Sequence, residues 1–391
     1  MNLHEFQAKE ILASFGIPVP VGEIVETAEQ AERAARRLPG KRYAVKAQVH
    51  AGGRGKAGGV VFAASPGEAG KTAAQMLGQV LVTEQTGPQG RTVRRVYVEE
   101  AVDINRVAYV AVMVDRLSGQ VVLIGASEGG EDIEERAARD PRIIQSAPVP
   151  ADGRMKASDL ESFARKIGFD GLSGEKAAAL FAAMAKAFFE LDAALIEINP
   201  LAVTKTGELV ALDAKMILDD NAMFRHADLK GLADHDDLDP VELQAQANEI
   251  NYVRMDGNIG VVVNGAGLAL ATHDMLTDAG GEAANFMDIR TTATSLHIAR
   301  GFDLLLQNPN VKTVLVNVHG GGLQRCDTIA EGIGVAIKRA DRAMPIVVRF
   351  AGNNADFGRT LLNNYGVRYI EADNMTDAVE KAVEVARAGR A

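Results

Sequence analysis

The sequence has few of the residues that build disulfide frameworks or basic surfaces. It contains one cysteine, Cys326, and no tryptophan. A single cysteine allows neither an intrachain disulfide nor a thiolate metal cluster. The 42 lysines and arginines are outnumbered by 52 acidic residues, for a formal net charge of −10. This balance argues against nucleic acid or an anionic membrane as a partner, so a bound phosphate must find local donors.

Long apolar runs are also missing. No stretch of ~18 apolar residues occurs, and no basic-then-apolar signal opens the sequence. We therefore expect a soluble, cytoplasmic protein.

What the chain has is length and glycine. Its 391 residues suffice for two or three domains, and 39 glycines exceed the usual share of ~7%. Residues 1–225 show a mixed, largely antiparallel α+β pattern, and residues 226–250 are charge-rich and weakly patterned. Residues 251–391 alternate strand and helix, which predicts a doubly wound parallel sheet. The middle segment is therefore the predicted linker.

A glycine loop lies between two predicted strands. The run Gly53–Gly58 (GRGKAG) matches the dinucleotide pattern G-x-G-x-x-G, but a strand rather than a helix is predicted over Val60–Ala63. A Rossmann dehydrogenase is disfavoured for that reason, and the Walker pattern is absent. Strand, loop and strand with Lys46 upstream is closer to the loop that covers phosphates in kinases. The alternative is a glycine hairpin with solvated basic side chains.

A predicted hairpin near residue 206 brings acidic and amide side chains together. Asn199 and Asp213 are equally distant from this turn, so antiparallel register places them opposite each other. Glu197 and Lys215 share their face because side chains alternate along a strand. An Asn and an Asp facing each other suit Mg²⁺ with nucleotide phosphates. The alternative is an amphipathic hairpin whose polar face is solvated.

Two glycine turns in the second half lie between a strand and a helix. They are Asn264–Gly267 and His319–Gly322. Glycines there let a ligand approach the backbone, and each following helix presents free amides to a carboxylate or phosphate. Close helix–strand packing is the alternative for one glycine of each turn.

Five segments, in order along the whole chain, resemble a known family. They are 1–9 (MNLHEFQAK), 45–59 (VKAQVHAGGRGKAGG), 196–201 (IEINPL), 264–268 (NGAGL) and 352–355 (GNNA). The chain resembles the β subunit of succinate–CoA ligase. The resemblance implies an N-terminal ATP-grasp domain followed by a flavodoxin-like ligase domain.

The resemblance also implies site residues in both domains. The implied nucleotide contacts are Lys46, Gly53, Arg54, Gly55, Glu99 and the backbone of Val102. The implied Mg²⁺ ligands are Asn199 and Asp213, and the implied substrate contacts are Asn264, Gly320, Gly321 and Gly322. Glu197 corresponds to a catalytic carboxylate that orients a phosphohistidine.

The implied reaction joins a dicarboxylate to CoA with ATP, giving acyl-CoA, ADP and phosphate; with GTP as the donor, GDP would replace ADP. It passes through a phosphohistidine that lies in a Gly-His-Ala-Gly type motif of an α subunit. No such motif occurs here. The resemblance therefore implies half an enzyme, whose α partner carries the histidine and holds most of the CoA.

Three departures from the family concern recognition. Val107 stands where a nucleotide-contacting Glu is usual, and the turn 319–325 is one residue longer. Arg290, Thr291 and Thr292 replace three glycines. A guanidinium and two hydroxyls suit an extra carboxylate or hydroxyl, which makes Arg290 a candidate substrate contact for an acid more polar than succinate. Alternatively, Arg290 faces solvent or the α subunit.

Two other functions stay open at this point. One is a ligase for malate or for another di- or tricarboxylate, and the other is an inactive regulatory paralogue. Four retained residues argue against the paralogue, namely Lys46, Glu197, Asn199 and Asp213.

Overall fold

The computed structural model describes residues 1–234, 239–340 and 342–388. The chain divides into two compact units, Met1–Asp237 and Leu238–Ala391. This division lies inside the 226–250 segment, which also contains a 3-10 turn at Lys230–Leu232 and a helix at Pro240–Ala247. The domain limits 1–225 and 251–391 stay predictions.

Unit 1 combines short helices with two main antiparallel sheets. Its helices are α1 (Glu5–Ser14), α2 (Ala28–Arg37), α3 (Pro66–Met76), α4 (Ile133–Arg139), α5 (Ala157–Lys166) and α6 (Gly171–Glu190). Its strands are β1 (Gly22–Val25), β2 (Tyr43–Ala47), β3 (Val60–Ala63), β4 (Val80–Leu81), β5 (Arg91–Thr92), β6 (Val96–Glu100), β7 (Ile104–Asp115), β8 (Gln120–Ala126), β9 (Gln145–Pro148), β10 (Ala193–Thr204), β11 (Leu209–Ala211) and β12 (Ala214–Leu218).

The smaller main sheet carries the glycine loop. Its strands lie in the order β1-β6-β2-β3, and neighbouring strands are antiparallel. Helices α2 and α3 pack on it closely through small side chains at helical spacing. The buried alanines of these helices are Ala31, Ala34, Ala35, Ala69 and Ala73. The chain thus runs from β2 through the loop into β3, which confirms the predicted strand, loop and strand.

The larger sheet of unit 1 carries the hairpin. Its strands lie in the order β11-β10-β7-β8-β9, and β12 also pairs with β10. Helices α5 and α6 cover it with an aromatic cluster in which the ring of Phe181 lies 5.5 Å from that of Phe163 and 6.4 Å from that of Phe169, edge to face. The inward side chains of β10, including Ile196 and Ile198, are fully buried. The polar side chains between them are left for the opposite face.

Unit 2 alternates strands and helices as predicted. Its helices are α7 (Pro240–Ala247), α8 (Ala266–Asp278), α9 (Ser295–Gln307), α10 (Cys326–Arg339), α11 (Ala355–Asn364) and α12 (Met375–Ala388). Its strands are β13 (Asn251–Arg254), β14 (Ile259–Val263), β15 (Asn285–Asp288), β16 (Thr313–Gly320), β17 (Ile346–Gly352) and β18 (Ile370–Glu371).

One six-stranded sheet organises unit 2, in the order β13-β15-β14-β16-β17-β18. Only β13 is antiparallel to its neighbour. Numbered from β14, the parallel strands have the order 2-1-3-4-5, which confirms the flavodoxin-like, doubly wound prediction. Alternate residues of β14 belong to separate cores, with Val262 on one face and Val261 and Val263 on the other. The order reverses between β14 and β16, where such folds bind ligands.

Several elements differ from the sequence expectations. The amphipathic pattern of the N-terminal residues predicts a helix over residues 2–15, whereas α1 begins at Glu5 and ends at Ser14. Elements that the sequence pattern does not predict include helices α3, α4, α7 and α11 and strands β13, β15 and β18. Helix α3 opens with Pro66 and Gly67, a pair typical of turns, yet Ser65 caps it by accepting from the Glu68 amide. Among the described residues, no helix combines the length and the apolar character needed to span a bilayer.

Candidate functional site

A cavity of about 900 Å³ in unit 1 collects the predicted residues of that unit. It is bordered by the glycine loop, by the end of β6 and by the hairpin of β10 with β11 and β12. The predicted residues that border it are Lys46, Gly53, Arg54, Gly55, Glu99, Val102, Glu197, Asn199 and Asp213. They come from distant parts of the chain, so the fold brings them together.

The hairpin has the predicted register. Glu197 lies opposite Lys215, and Leu201 lies opposite Ala211. Between these pairs the amide of Asn199 donates to the carbonyl of Asp213 at 3.2 Å. The pairing of Asn199 with Asp213 is therefore confirmed. A metal role for the two residues stays a prediction.

Lys46 is buried and uses every donor it has. Its ammonium lies 2.8 Å from Glu5 Oε1, 2.6 Å from Glu99 Oε1 and 2.5 Å from the carbonyl oxygen of Leu212. An ammonium has three N–H groups, so these acceptors fix its orientation. Burial acts to lower the pKa of Lys46, but Glu5, Glu99 and Asp213 outweigh it and raise that pKa above its ordinary value. The ammonium therefore stays charged.

Arg54 ties the glycine loop to the hairpin. Its Nη1 donates to the carbonyl of Ala47 at 2.8 Å, and its Nη2 donates to Glu5 Oε2 at 2.7 Å and to Asp213 Oδ2 at 2.8 Å. The guanidinium is buried, whereas the Asp213 side chain is 35% exposed. Asp213 thus keeps lone pairs free for a second ligand.

Lys46 and Arg54 belong to a larger charge cluster on the cavity wall, which we call the charge hub. Its members are Glu5, Lys9, Lys46, Arg54, Glu99 and Asp213. Three carboxylates oppose three cations, so the formal charges cancel. Lys9 completes the hub at 2.8 Å from Glu5 Oε1 and 2.5 Å from Glu99 Oε2. Buried charges of this kind persist only when they are paired.

Sequence reasoning gave no role to Glu5 or Lys9. Both lie in the 1–9 segment that carries the family resemblance, and both are more than nine-tenths buried. Two features of the sequence pointed to these residues: the 1–9 segment itself, and the i,i+4 spacing of Glu5 and Lys9. A Glu–Lys pair at this spacing usually lies on an exposed face of a helix. Apart from each other, their partners in the hub lie more than 40 residues away along the chain, so only the fold reveals these contacts.

The glycine loop binds an internal anion. The backbone amides of Gly55 and Lys56 donate to the two oxygens of Glu131 at 2.8 and 3.0 Å, and the Lys56 ammonium pairs with Asp132. Adjacent amides that hold one carboxylate form a site for an anion of similar size. Because β3 follows the loop, the dinucleotide arrangement with a helix is ruled out.

Asn199 is oriented by the segment that carries Glu131. Its side-chain Oδ1 accepts from the amide of Gly130 at 2.7 Å, and its Nδ2 donates to the Gly130 carbonyl at 3.2 Å. The side-chain oxygen of Asn199 has a second lone pair that can accept or coordinate, and so has the carboxylate of Asp213. Hard oxygen donors on one cavity wall fit Mg²⁺.

Glu197 lies on the same hairpin face and is partly buried. Burial raises the pKa of its carboxyl group, Lys215 opposes the shift, and Glu134 and Asp213 add to it. A carboxyl group with a raised pKa in a cavity is a candidate for handling a proton or orienting an imidazole.

A second group of metal-ligating residue types includes His50, which also borders the cavity. The side chains of His4, His50 and Asp234 place potential ligand atoms within 4.8 Å of one another. The two imidazole rings are stacked with centroids 3.9 Å apart, and the Arg95 guanidinium lies 3.6 Å from Asp234. Stacked rings and a guanidinium beside Asp234 fit a histidine hydrogen-bonded to Asp234 better than a metal ligand.

In unit 2 the predicted residues meet where the strand order reverses. The Asn264 side chain donates to the carbonyl of His319 at 2.8 Å and accepts from its amide at 2.9 Å, so it latches the end of β14 to the end of β16. The amide of Gly265, which precedes α8, donates to Asp288 at 2.6 Å. As in the glycine loop of unit 1, the backbone amide of a glycine donates a hydrogen bond to a carboxylate.

The three glycines after His319 differ in their surroundings. A Cβ on Gly320 would lie 2.3 Å from the carbonyl oxygen of Asn353, so close packing requires this glycine. A Cβ on Gly321 or Gly322 would meet nothing within 4 Å. Packing therefore explains Gly320, whereas Gly321 and Gly322 leave open space beside the backbone.

The departures from the family occupy different places. Arg290 is exposed, and its Nε donates to Asn251 Oδ1 on β13 at 3.0 Å. Val107 lies on β7 opposite Ala202. The longer turn ends at Arg325, which forks onto Asp327 at 3.1 and 3.0 Å.

Comparison with known proteins gives consistent results for both units. Residues 2–203 match the ATP-grasp domain family, and residues 262–383 match the CoA-ligase family. The chain is 48% identical to succinate–CoA ligase [ADP-forming] subunit β of Acidiphilium cryptum, over 98% of each chain. It is 45% identical to the protein of the same name from Paraburkholderia phytofirmans, over 100% of each chain.

Among solved structures, ATP citrate lyase from Methanothrix soehngenii, in complex with citrate and coenzyme A, superposes with a TM-score of 0.78. The superposition covers 98% of this chain and 99% of that one, at 20% identity. It supports the fold.

Proposed function

Because the chain belongs to the family of succinate–CoA ligase β subunits, we propose that it is the phosphate-transferring half of an ADP-forming acid–CoA ligase. Its partner is an α subunit that supplies a histidine and most of the CoA site. The α-type histidine motif is absent from this sequence, which is why a partner is needed. Succinate is the proposed acid.

One observation supports the proposal: the candidate phosphate donors and the candidate metal ligands border the same cavity in unit 1. Lys46 and Arg54 supply positive charge there, and the loop amides of Gly55 and Lys56 already hold a carboxylate. Phosphoryl transfer needs such donors because charge spreads over the phosphoryl oxygens. We assign the nucleotide to these groups, to Gly53 and to Glu99, with its base near the Val102 backbone.

Asn199 and Asp213 are the proposed Mg²⁺ ligands. A bound Mg²⁺ would neutralise phosphate charge during transfer. The Asp213 carboxylate accepts from Arg54, so it holds one phosphate-binding cation while an oxygen stays available to the metal.

Glu197 is the proposed catalytic carboxylate. An ionised carboxylate accepts an N–H from one ring nitrogen of the partner's histidine and leaves the other nitrogen to attack phosphorus. The bond from the terminal phosphorus to the bridging oxygen breaks as the bond to nitrogen forms. The phosphohistidine then phosphorylates the acid, and the CoA thiolate displaces phosphate.

Unit 2 is the proposed acid-binding part. Asn264 and the open backbone at Gly321 and Gly322 lie where doubly wound sheets bind ligands, and Gly320 fixes the turn. Arg290 stays a proposed acid contact, and a more polar acid such as malate stays the alternative that it would favour.

The test is reconstitution. We expect the purified chain alone to form no acyl-CoA from succinate, ATP, Mg²⁺ and CoA, and a co-purified α-type subunit to restore the reaction. Sustained acyl-CoA formation by the chain alone would contradict the proposal. So would failure of the complex to use any di- or tricarboxylate.

A further inference from the structure

Among the six members of the charge hub, Glu5 is the one that contacts all three cations. Its Oε1 lies 2.8 Å from the ammonium of Lys46 and 2.8 Å from that of Lys9, and its Oε2 lies 2.7 Å from Arg54 Nη2. Gln48 Nε2 adds a hydrogen bond to Oε2 at 3.2 Å. Groups from α1, β2 and the glycine loop thus converge on one carboxylate.

The carboxylate is held as an anion. Burial alone would raise the pKa of Glu5, but Lys46, Lys9 and Arg54 outweigh that effect and lower its pKa well below the ordinary value. Its side chain is only 2% exposed. Solvent therefore competes little with these contacts.

Lys46 can reach a phosphate only by exchanging an acceptor, since its three donors are occupied. The Leu212 carbonyl is its one neutral acceptor, and hydrogen bonds to carboxylates are the stronger ones. When a phosphate binds Lys46, we therefore expect the hydrogen bonds to Glu5 and Glu99 to persist and the hydrogen bond to the Leu212 carbonyl to break. Arg54 stays linked to the same carboxylate through Glu5 Oε2.

We propose that Glu5 is a positioning residue, which keeps Lys46 and Arg54 at the spacing that nucleotide phosphates require. Lys9 offsets negative charge in the hub, because it contacts both Glu5 and Glu99 and its side chain is only 1% exposed. The proposal rests on the proposed nucleotide site of unit 1. It goes beyond that site because it assigns the placement of the phosphate-binding cations to the first helix of the chain.

A purely electrostatic role and a positioning role for Glu5 predict opposite effects of Glu5→Gln on the affinity for an anion. The substitution raises the charge of the hub by one unit, so attraction alone would strengthen binding of an anion. If Glu5 positions the cations, the loss of their shared anchor weakens binding instead. The sign of the change thus separates the two roles.

The experiment is calorimetric titration of the complex with an α-type subunit, using MgATP and, separately, adenosine. We expect Glu5→Gln to weaken MgATP at least about tenfold, and adenosine, which has no phosphate, by less than about twofold. Glu5→Asp keeps the charge with a shorter reach, so it should restore part of the loss. Glu10→Gln, an exposed carboxylate on the same helix, is the matched control and should match wild type.

The outcomes separate the two proposals. If wild type binds no MgATP, the nucleotide proposal fails. If wild type binds it and Glu5→Gln binds equally or more tightly, the positioning role is rejected. Equal losses for MgATP and adenosine would also reject it, because they indicate a general distortion. Should Glu5→Gln not fold, the same comparison with Glu5→Asp decides, with an intermediate loss confined to MgATP expected.

Discussion

The candidate sites of the two units depend mainly on different chemical groups, although backbone amides contribute to both. Unit 1 uses charged side chains that are buried, paired and drawn from separate elements, as Glu5 with Lys46 and Arg54 illustrates. Unit 2 uses strand ends, with the side-chain amide of Asn264 as a latch and glycines that leave the backbone open. A site formed by side chains can be disabled by a substitution that leaves the backbone unchanged. A site formed by backbone groups is disturbed mainly by a larger side chain that fills the space beside it.

The largest expected effect is that of Glu197→Gln in unit 1. A neutral amide accepts an imidazole N–H weakly, so histidine phosphorylation should slow by about 100-fold or more. Rapid-quench measurement of phosphohistidine gives the rate.

The same variant has a pH signature. Burial raises the pKa of Glu197, and the working form is the carboxylate. The wild-type rate should therefore fall as pH drops through this raised pKa, and the variant should lack that acid limb. Thermal stability near neutral pH should not decrease, because the carboxylate is the form that burial disfavours. An unchanged rate would exclude Glu197 from the phosphorylation step.

Asp213→Asn is expected to have the next largest effect. It removes a charge from the proposed metal site and weakens the grip on Arg54, so phosphorylation should fall at least about tenfold, equivalent to ~1.4 kcal/mol. The loss should be greatest at limiting Mg²⁺. Glu208→Gln is the control, because it lies next to β11 on the same hairpin and pairs with Lys176. Equal rates for the two variants at limiting Mg²⁺ would remove Asp213 from the metal site.

A matched pair of glycine substitutions tests unit 2. Gly320→Ala should lower the free energy of unfolding by about 1–3 kcal/mol because of its clash with Asn353. Gly322→Ala meets no atom within 4 Å, so its effect on stability should stay within about 0.5 kcal/mol. If an acid approaches the open backbone, Gly322→Ala should nevertheless raise the KM for succinate. Normal kinetics with Gly322→Ala would place the acid elsewhere.

The smallest expected effect is a gain. Glu131→Gln weakens the internal anion on the amides of Gly55 and Lys56, so the Kd for MgATP should fall by up to about fivefold, the range of an exposed ion pair. Calorimetric titration measures it. Glu128→Gln, on the same segment and paired with Arg136, should leave the Kd unchanged. Weaker binding by the Glu131 variant would show that Glu131 supports the loop rather than competing with phosphate.

Local patterns were sufficient for much of the fold and for the hairpin. The strand predicted over Val60–Ala63 shows that the glycine loop joins two strands and does not precede a helix. The turn at residue 206 predicts that Asn199 lies opposite Asp213. The strand follows from its β-branched and aromatic residues, and the pairing follows from equal distances to the turn, so both inferences need only a short stretch of sequence. The strand–helix alternation of unit 2 is equally local.

Neither the charge hub nor the contact between Glu131 and the glycine loop could be predicted in this way. Lys9 meets Glu99 across 90 residues, and Glu131 meets Gly55 across 76. No pattern in either segment points to the other, because a buried Glu or Lys looks like an exposed one until its partner is placed. Helix α3 was missed for a related reason, since Pro66 and Gly67 suggest a turn although proline is favoured at the first position of a helix.

The most direct test of the account is single-turnover transfer of the γ-phosphoryl group of ATP to the α-type subunit's histidine, with CoA and acid omitted. If unit 1 carries phosphate chemistry and unit 2 carries acid recognition, Gly322→Ala should transfer phosphate at the wild-type rate, while Asp213→Asn is slower by about tenfold or more. Equal slowing by both variants, or no transfer by the wild-type complex, would contradict the account.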